Sequence, residues 1–456
     1  MTPTIPPVQN SRRKNRLVFA AIIGLTGCAA PPASNFSLSA AANAPAVCAA
    51  PAPVCPACPA CAPTEFVLDE TPAESAPAAE AARGRLEKTQ WDALPGFNSD
   101  NPFEALAAFR QSCTVLVTRA EWQRTCNLAI SVPVAAKPDA IIAFFRNNFE
   151  PHRVVNADET ETGTVTGYYE PLLHGSRVRT DKFRYPVYAA PQDLITIDLS
   201  DVYPDLKFRR LRGRLVGNKL VPYLDRGGIS GDAAPLKGLE IAYVDNAVEL
   251  FFLEIQGSGQ IKLPDGSRLR VGYADQNGHP FRSLAGLLIR RGEIRAEHAS
   301  MQGIKEWARR NPKKVRQFLN ANPSFVFFRE LPGDLSGPIG TLGVPLTAER
   351  SIAVDQRVIP LGVPVYLSTT HPGSKQELNR LMVAQDTGGA INGAVRADFY
   401  WGFGDDAGAL AGRMKQRAKM WVLLPNGYVA ASETKISGSS LVPGTDQKSP
   451  SKKDSP

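Results

Sequence analysis

The stretch QDTGGAINGAVRADFYWGFGDD, residues 385–406, has carboxylates at both ends and a glycine-rich middle. Five of the nineteen residues 386–404 are glycine, against 37 in the whole chain of 456. Such a stretch can hold a metal, surround a phosphate or present an acid to a substrate. It lies among short apolar runs in residues 333–425 that predict strands: SIAVD, VPVYLS, RLMVAQD and MWVLLP. The stretch is therefore predicted to belong to a β-rich region, and the rest of the sequence must decide its chemistry.

Upstream of this region the spacing of apolar residues changes twice. PFEALAAFRQSC and KPDAIIAFFRNNF have helical spacing, with Phe103, Leu106 and Phe109 predicted on the apolar face of the first. After residue 163 come β-like runs separated by turns, namely TGYYEPLL, RYPVYAAP, RGRLVGNKLVPY, EIAYVDNAVELFFLEIQGSG and SRLRVGY. Helices return in FRSLAGLLIRRG, AEHASMQGIKEWARR and NPKKVRQFLNANP, the last with Asn311 as the predicted N-cap. The fold is thus predicted to be mainly β with flanking helices.

The N-terminal residues have the pattern of an export signal followed by a tether. Four Lys and Arg side chains among residues 12–16 precede a short apolar run that is far below the roughly 20 residues that span a bilayer. LTGC then resembles a bacterial lipobox, which predicts a lipoprotein signal peptide over residues 1–27 and lipidation of Cys28; a plain signal peptide is the alternative. The Ala, Pro and Ser of residues 28–85 predict a disordered tether, and residues 426–456 a polar disordered tail.

The positive charge of the chain is concentrated in that signal. Removing residues 1–27 removes four of the 52 Lys and Arg and none of the 44 Asp and Glu, so the net charge falls from +8 to +4. Nucleic acid is therefore not an expected partner.

The seven cysteines divide in the same way. Four lie in the tether, where two CxxC spacings resemble a zinc site, but only Pro and Ala surround them: Cys48, Cys55, Cys58 and Cys61. Free or cross-linking thiols of an extended tether are the favoured interpretation. Cys113 and Cys126 lie in foldable sequence and can form either a disulfide or two buried thiols.

Metal and phosphate chemistry find no support in the motifs. The histidines are not at metal-ligand spacing from one another, and neither a GxxxxGK[ST] loop nor a GxSxG elbow occurs. Gly402 and Gly404 begin a dinucleotide-like pattern whose third glycine, Gly408, falls one position late. No metal and no cofactor is therefore expected.

Three aspartates remain as candidates for chemistry. Asp355, Asp386 and Asp398 each stand at or just after an apolar run, where an Asp is commonly a turn residue. Asp398 is followed by the aromatic run 399–401, whose rings can stack on sugars and lower the local dielectric constant. Partial burial there would raise the pKa of Asp398 and keep it protonated, as a general acid requires.

Seven blocks together resemble the membrane-bound lytic transglycosylase A family over residues 90–425. They are TGYYEP, FFLEIQGSG, NGHPFRSL, NPSFVFF, GVPLTAERSIAVD, IPLGVPVYL and the opening stretch. The last three resemble the three-Asp domain of that family.

This resemblance implies a double-psi β-barrel built from residues 86–164 and 333–425, an inserted β-rich domain over residues 165–332, and a glycan groove between them. It implies an outer-membrane lipoprotein facing the periplasm, anchored through Cys28, with peptidoglycan glycan strands as its substrate and proteins of cell-wall synthesis or division as candidate partners. Its reaction would cut the β-1,4 bond between N-acetylmuramic acid and N-acetylglucosamine and leave a 1,6-anhydro ring.

Attack by the sugar's own C6 hydroxyl makes a second catalytic carboxylate unnecessary. By motif position Asp398 matches the family's acid, which would then act as acid and base, with Asp386 and Asp355 supporting it. Candidate sugar contacts, for which barrel core or tight turns are the alternatives, are Asp355, Gly167, Tyr169, Gln256, Ser258, Gly259, Gly388 and Gly389. Two other functions stay open: an inverting hydrolase that uses Asp398 and Asp386, and a non-catalytic wall-binding lipoprotein.

Overall fold

The computed structural model describes residues 84–231 and 233–428. The expected signal peptide, the lipidation site at Cys28, the tether cysteines and nearly all of the polar tail lie outside these residues. The strands are β1 (Arg85–Lys88), β2 (Phe149–Val155), β3 (Gly163–Glu170), β4 (Leu172–Ser176), β5 (Tyr185–Tyr188), β6 (Ile195–Thr196), β7 (Arg212–Val216), β8 (Lys219–Pro222), β9 (Glu240–Val244), β10 (Ser258–Lys262), β11 (Arg268–Gln276), β12 (Val326–Leu331), β13 (Ser351–Val354), β14 (Pro364–Thr370), β15 (Glu377–Asp386), β16 (Arg396–Phe403) and β17 (Lys415–Pro425). The α-helices are α1 (Pro102–Leu116), α2 (Ala120–Ser131), α3 (Pro138–Asn148), α4 (Arg226–Ile229), α5 (Ala247–Gln256), α6 (Leu284–Arg290), α7 (Met301–Arg310), α8 (Val315–Leu319) and α9 (Gly404–Ala411).

Six strands close into a barrel. The sheet runs β1-β2-β17-β14-β15-β13-β16-β3, and β17 also pairs with β3, so the strands from β17 to β3 form a closed ring. The pairs β13–β15 and β16–β3 are parallel, and the other neighbours in the ring are antiparallel. The prediction of a mainly β fold that contains a barrel is confirmed. Strand β3 pairs with β16 as far as Glu170, so the barrel sheet extends past residue 164, where the sequence placed its border.

The alternation of side chains along β16 decides what faces the barrel interior. Ala397, Phe399 and Trp401 belong to the main hydrophobic core together with residues of the other barrel strands. Tyr400 belongs instead to a small cluster with Tyr168 of β3. Because successive residues of a strand point to opposite faces, Asp398 shares the outer face with Tyr400.

Helices α1 to α3 cover one side of the barrel. α1 buries a stripe that begins at Ala105 and ends at Leu116, while Phe103 in its first turn is 43% exposed. The prediction that Phe103 lies on the buried face is therefore wrong, because the burial starts two residues further along, at Ala105. Cys113 and Cys126 form a disulfide that joins α1 to α2. Of the two alternatives for these cysteines, the structure has the cross-link.

The inserted segment contains a six-stranded sheet, ordered β12-β11-β10-β4-β9-β5, and a three-stranded sheet, β6-β7-β8. The strand prediction for VELFFLEIQ is wrong, since these residues form α5. Asn246 begins the helix by accepting hydrogen bonds from the backbone N–H groups of Val248 and Glu249, and Gly257, at a φ of 78°, ends it. A helix that is buried around most of its circumference has a nearly continuous apolar sequence, which spacing alone cannot distinguish from a strand.

The N-cap position predicted at Asn311 is confirmed, but the side-chain cap is not formed. A 3₁₀ turn, Pro312–Lys314, precedes α8, and the Asn311 side chain makes no capping bond to it. Its amide instead donates to the carbonyl oxygen of Trp307 at 2.9 Å, which closes the end of α7. Across residues 84–231 and 233–428 no helix has the length and apolar character to cross a membrane.

Candidate functional site

One row of paired residues on the barrel aligns the two candidate acids. Ala353 on β13 pairs with Asp386 on β15 and with Asp398 on β16, and Asp398 in turn pairs with Thr166 on β3. Neighbouring strands lie about 4.8 Å apart, so the backbones of the two aspartates are about 10 Å apart. Ala353, which lies between the two aspartates in this row, is 3% exposed and packs in a buried cluster with Tyr168 and Tyr400.

Asp398 is partly buried, and its pKa lies well above the ordinary value of an aspartate. Burial raises the pKa of its carboxyl to about 6, the hydrogen bond from Thr166 and the charge of Arg396 oppose this, and the charge of Asp386 adds to it. The Thr166 hydroxyl donates to Oδ1 of Asp398 at 2.6 Å, and Nη2 of Arg396 donates to the same hydroxyl oxygen at 2.9 Å. The prediction that burial raises the pKa of Asp398 is confirmed. An acid of this kind can hold a proton near neutrality and release it to a bound group.

The aromatic run after Asp398 does not form a stacking surface. Phe399, Tyr400 and Trp401 are all at most 5% exposed. Phe399 and Trp401 pack on each other in the barrel core with ring centroids 4.5 Å apart, and Tyr400 packs on Tyr168. The interpretation of these rings as sugar platforms is therefore wrong, because strand alternation turns two of them inward. Of the three rings, only Tyr400 shares the outer face of the strand with Asp398.

Asp386 is an acceptor surrounded by donors. Its Oδ1 accepts from the backbone N–H and the hydroxyl of Thr341 at 2.9 and 2.8 Å, and its Oδ2 accepts from the Tyr168 hydroxyl at 3.1 Å. Burial raises the pKa of Asp386, while these hydrogen bonds favour its ionised form and oppose the shift. Burial also raises the pKa of Tyr168, which keeps its hydroxyl protonated as a donor. The arrangement holds a carboxylate in a fixed orientation beside Asp398.

Asp355 supports the glycine-rich loop. Its carboxylate accepts from Nε of Arg357 at 2.7 Å and from the backbone N–H of Gly393 at 2.9 Å. Burial favours the neutral form, but these hydrogen bonds outweigh it and hold the pKa of Asp355 below its usual range. With 5% of its surface exposed, Asp355 braces the loop and does not face a ligand, contrary to its place among the candidate sugar contacts.

Of the two interpretations of Gly167 and Tyr169 in TGYYEP, sugar contact or barrel packing, the structure has barrel packing. A Cβ on Gly167 would lie 2.8 Å from atoms of Ala411 and Trp401, so this glycine makes room for packing. Tyr169 is 5% exposed and belongs to the barrel core. The residues on the opposite face of the strand, Thr166 and Tyr168, are the ones that donate hydrogen bonds to the two aspartates. The alternation of a strand was the available signal, and it was missed by one position.

The QGSG segment joins α5 to β10 of the six-stranded sheet. The side-chain oxygen of Gln256 accepts from the backbone N–H of Tyr169 at 3.0 Å. Ser258 is 8% exposed, and a Cβ on Gly259 would lie 2.4 Å from Leu253. Ser258 and Gly259 are therefore buried by internal packing, and Gln256, which is partly exposed, uses its side-chain oxygen to hold β3.

The loop after Asp386 remains a candidate for ligand contact. Gly388 is partly exposed and Gly389 is exposed. A Cβ on Gly389 would lie 3.7 Å from Nη1 of Arg210, which belongs to the inserted segment. This loop thus lies where the barrel and the insert meet. Within the described residues, no group of three or more His, Cys, Asp or Glu side chains is arranged to hold a metal ion.

Replacing Thr166 by Val is expected to raise the pKa of Asp398 further, by about one pH unit, because a charge-assisted hydrogen bond to the carboxylate is lost. NMR titration of isotope-labelled aspartate carboxyl groups measures this change. Thr166→Ser keeps the hydroxyl and should leave the titration close to that of the wild type. An unchanged or lower pKa in the Val variant would show that the hydrogen bond does not control the acid.

Comparisons with known proteins match both parts of the chain. The model of the MltA-specific insert domain matches residues 164–329, and that of the 3D domain matches residues 350–424. Membrane-bound lytic murein transglycosylase A of Escherichia coli K12 is 36% identical over 275 residues, which cover 59% of this chain and 67% of that protein.

Solved structures agree with these matches. The crystal structure of MltA from Neisseria gonorrhoeae is 38% identical with a TM-score of 0.66, and the match covers 75% of this chain and 93% of that one. The structure of E. coli MltA with bound chitohexaose is 28% identical with a TM-score of 0.51, covering 70% of this chain and 84% of that one.

Proposed function

Because the chain belongs to the membrane-bound lytic transglycosylase A family and is a peptidoglycan lytic transglycosylase, we propose that Asp398 alone serves as its catalytic acid and base. The bond cut is the β-1,4 bond between N-acetylmuramic acid and N-acetylglucosamine, and the product ends in a 1,6-anhydro ring. The observation that carries this proposal is the partly exposed Asp398, with its pKa raised to about 6, on the face of the barrel that carries Tyr168 and Asp386.

The reaction needs one proton to leave Asp398 and one to return. Protonated Asp398 donates to the glycosidic oxygen as the bond to C1 breaks. The C6 hydroxyl of the same muramic acid then attacks C1, and its proton passes to the carboxylate of Asp398. No water is consumed, and the side chain ends in its starting form. A carboxyl group with a pKa of about 6 is suited to both steps near neutral pH.

Asp386 has a different part in this proposal. Both of its oxygens already accept hydrogen bonds from Thr341 and Tyr168, which leaves it poorly placed to take a proton from water. Its negative charge would instead favour the positively charged, oxocarbenium-like transition state at C1 and would support the proton on Asp398. This role favours the lytic reaction over an inverting hydrolase that uses Asp386 as its base.

Mass spectrometry of digested sacculi tests the reaction. Lytic cleavage gives ends that are one water lighter than the reducing ends left by hydrolysis. Anhydro ends throughout the digest are the expected result. Reducing ends as the primary product would favour the hydrolase, and the absence of any released fragment would favour a wall-binding protein.

The rate of cleavage is expected to fall as the pH rises through about 6, because Asp398 must be protonated to donate. Since kcat/KM reports the free enzyme, it should be constant below this pH and decrease about tenfold per pH unit well above it. A pH series at constant ionic strength measures the profile. A rate that stays constant or rises through this pH would contradict the role of Asp398 as the acid.

Membrane attachment is the second part of the proposal. The E. coli relative is named membrane-bound, and the lipobox at Cys28 supports an outer-membrane lipoprotein that faces the periplasm. Cell fractionation tests this attachment: replacing Cys28 by Ser should release the protein into the soluble periplasmic fraction, and a variant that stays with the membrane would contradict anchoring by lipid. Contacts with proteins of cell-wall synthesis or division are tested by co-purification from cross-linked envelopes.

A further inference from the structure

Within the described part of the chain, Arg210 places a guanidinium group that has no carboxylate partner beside the loop after Asp386. Its Nη1 lies 3.7 Å from the position of a Cβ on Gly389, and its Cζ lies 5.9 Å from the centre of the Tyr273 ring. Gly389 follows Asp386 by three residues. Among the described residues Arg210 is exposed and has no carboxylate partner, so its donors are available to a ligand in the groove.

The chain around Arg210 is held in place on the insert. Nε of Arg212 donates to both carboxylate oxygens of Asp275, at 2.9 and 3.0 Å, and both side chains are largely buried. The backbone N–H of Ile197 donates to the carbonyl oxygen of Leu211 at 3.1 Å. Arg210 thus precedes two anchored residues, and Tyr273 lies on β11, the strand that also carries Asp275. This position is set by the fold of the insert and not by a free side chain alone.

The charge of this segment fits an acidic ligand. Residues 207–214, KFRRLRGR, contain five basic residues and no acid. The sugars of a glycan strand carry no charge of their own. The negative charges of peptidoglycan lie on the lactyl group at C3 of muramic acid, when its carboxyl is free, or on the peptide attached there.

We propose that Arg210, stacked beside Tyr273 and facing Gly389, binds a carboxylate carried by the C3 substituent of muramic acid. This inference rests on the proposed function, because it requires the glycan to lie beside Asp398. The planar guanidinium can hold a carboxylate through two parallel hydrogen bonds, which a sugar hydroxyl cannot match. Arg210 would therefore distinguish muramic acid strands from strands of N-acetylglucosamine alone.

The test compares three ligands with wild-type protein and Arg210→Gln. We would measure kcat/KM on peptide-bearing sacculi and on naked glycan strands with free lactyl carboxyls. We would measure Kd for chitohexaose, which has no lactyl group. We expect about a tenfold loss of kcat/KM on the acidic substrates and an unchanged Kd for chitohexaose. A loss on sacculi alone assigns the carboxylate to the peptide, and a loss on naked strands alone assigns it to the lactyl group.

Arg209→Gln is the matched control, because Arg209 is exposed, adjacent in the chain and equal in charge. It should leave kcat/KM within about twofold of the wild type on both acidic substrates. The inference is overturned if Arg210→Gln cleaves both acidic substrates at the wild-type rate, or if it weakens the binding of chitohexaose by the same factor as it lowers kcat/KM. It is also overturned if Arg209→Gln loses as much activity as Arg210→Gln. Anhydro products from the wild type in the same assay keep the proposed function separate, since their absence would contradict that function and not only the role of Arg210.

Discussion

Asp398→Asn is expected to lower the rate of peptidoglycan cleavage by at least about a thousandfold while the protein still folds and binds glycan. Asparagine has nearly the same shape and can accept the hydrogen bond of Thr166, but it has no proton to give to the glycosidic oxygen. Release of soluble anhydro fragments from purified sacculi measures the rate. Binding of chitohexaose by calorimetry measures whether the groove is intact.

Asp406→Asn is a suitable control, since Asp406 is an exposed acid in the first turn of α9 and should be dispensable.

The Asp398→Asn substitution should also change stability in a defined direction. The folded-state pKa of Asp398, about 6, exceeds the ordinary value of an aspartate, so its protonation stabilises the fold and that stability is lost as the pH rises through 6. The variant should therefore be the more stable protein at pH 7, and this advantage should disappear at pH 4. An active variant would remove Asp398 from the acid role.

Arg350→Met is expected to lower the free energy of unfolding by about 3 to 5 kcal/mol. Arg350 is 1% exposed and donates to both carboxylate oxygens of Asp100, at 2.7 and 2.8 Å, and to Glu104 at 3.0 Å. Methionine fills a similar space, but it leaves the largely buried carboxylate of Asp100 without its counter-charge. Urea denaturation followed by tryptophan fluorescence measures the loss.

The double variant Asp100→Asn with Arg350→Met separates the charge from the packing. It should recover part of the lost stability, since no uncompensated charge stays buried. If the single and double variants are equally unstable, the packing of the arginine rather than its ion pair is what holds the segment before α1 against β15.

The apolar runs predicted a mainly β fold, and the barrel was predicted only because the blocks around Asp398 resemble a known family. The burial of Asp398 followed from its aromatic neighbours, but their orientation did not. Whether Phe399 or Tyr400 faces the barrel core depends on the alternation of side chains along the strand, which a shift of one position reverses. For the same reason Gly167 and Tyr169 were named as site residues, whereas Thr166 and Tyr168, each one position earlier, are the residues that bond the two aspartates.

Other parts of the site had no local signal. Thr341 bonds Asp386 from 45 residues away, in a loop whose sequence carries no pattern of its own. The occupation of Gln256 by the backbone of Tyr169 likewise depends on two elements that meet only after folding. Such contacts are set by tertiary packing, so composition and spacing do not reveal them. The helix α5 was missed for a related reason, since its burial removes the polar face that identifies a helix.

The hydrogen bond between Thr166 and Asp398 joins residues that are 232 positions apart, and β17, which closes the barrel against β3, comes later still. Because the chain is synthesised from its N-terminus, the whole insert is made before Asp398 and the strand that closes the barrel. Contacts of such long sequence separation form late, because the intervening loop must be ordered first. We expect a C-terminally clipped molecule that lacks β17 to be inactive. The order of the segments along the chain thus makes the environment of Asp398 depend on the two ends of the described fold.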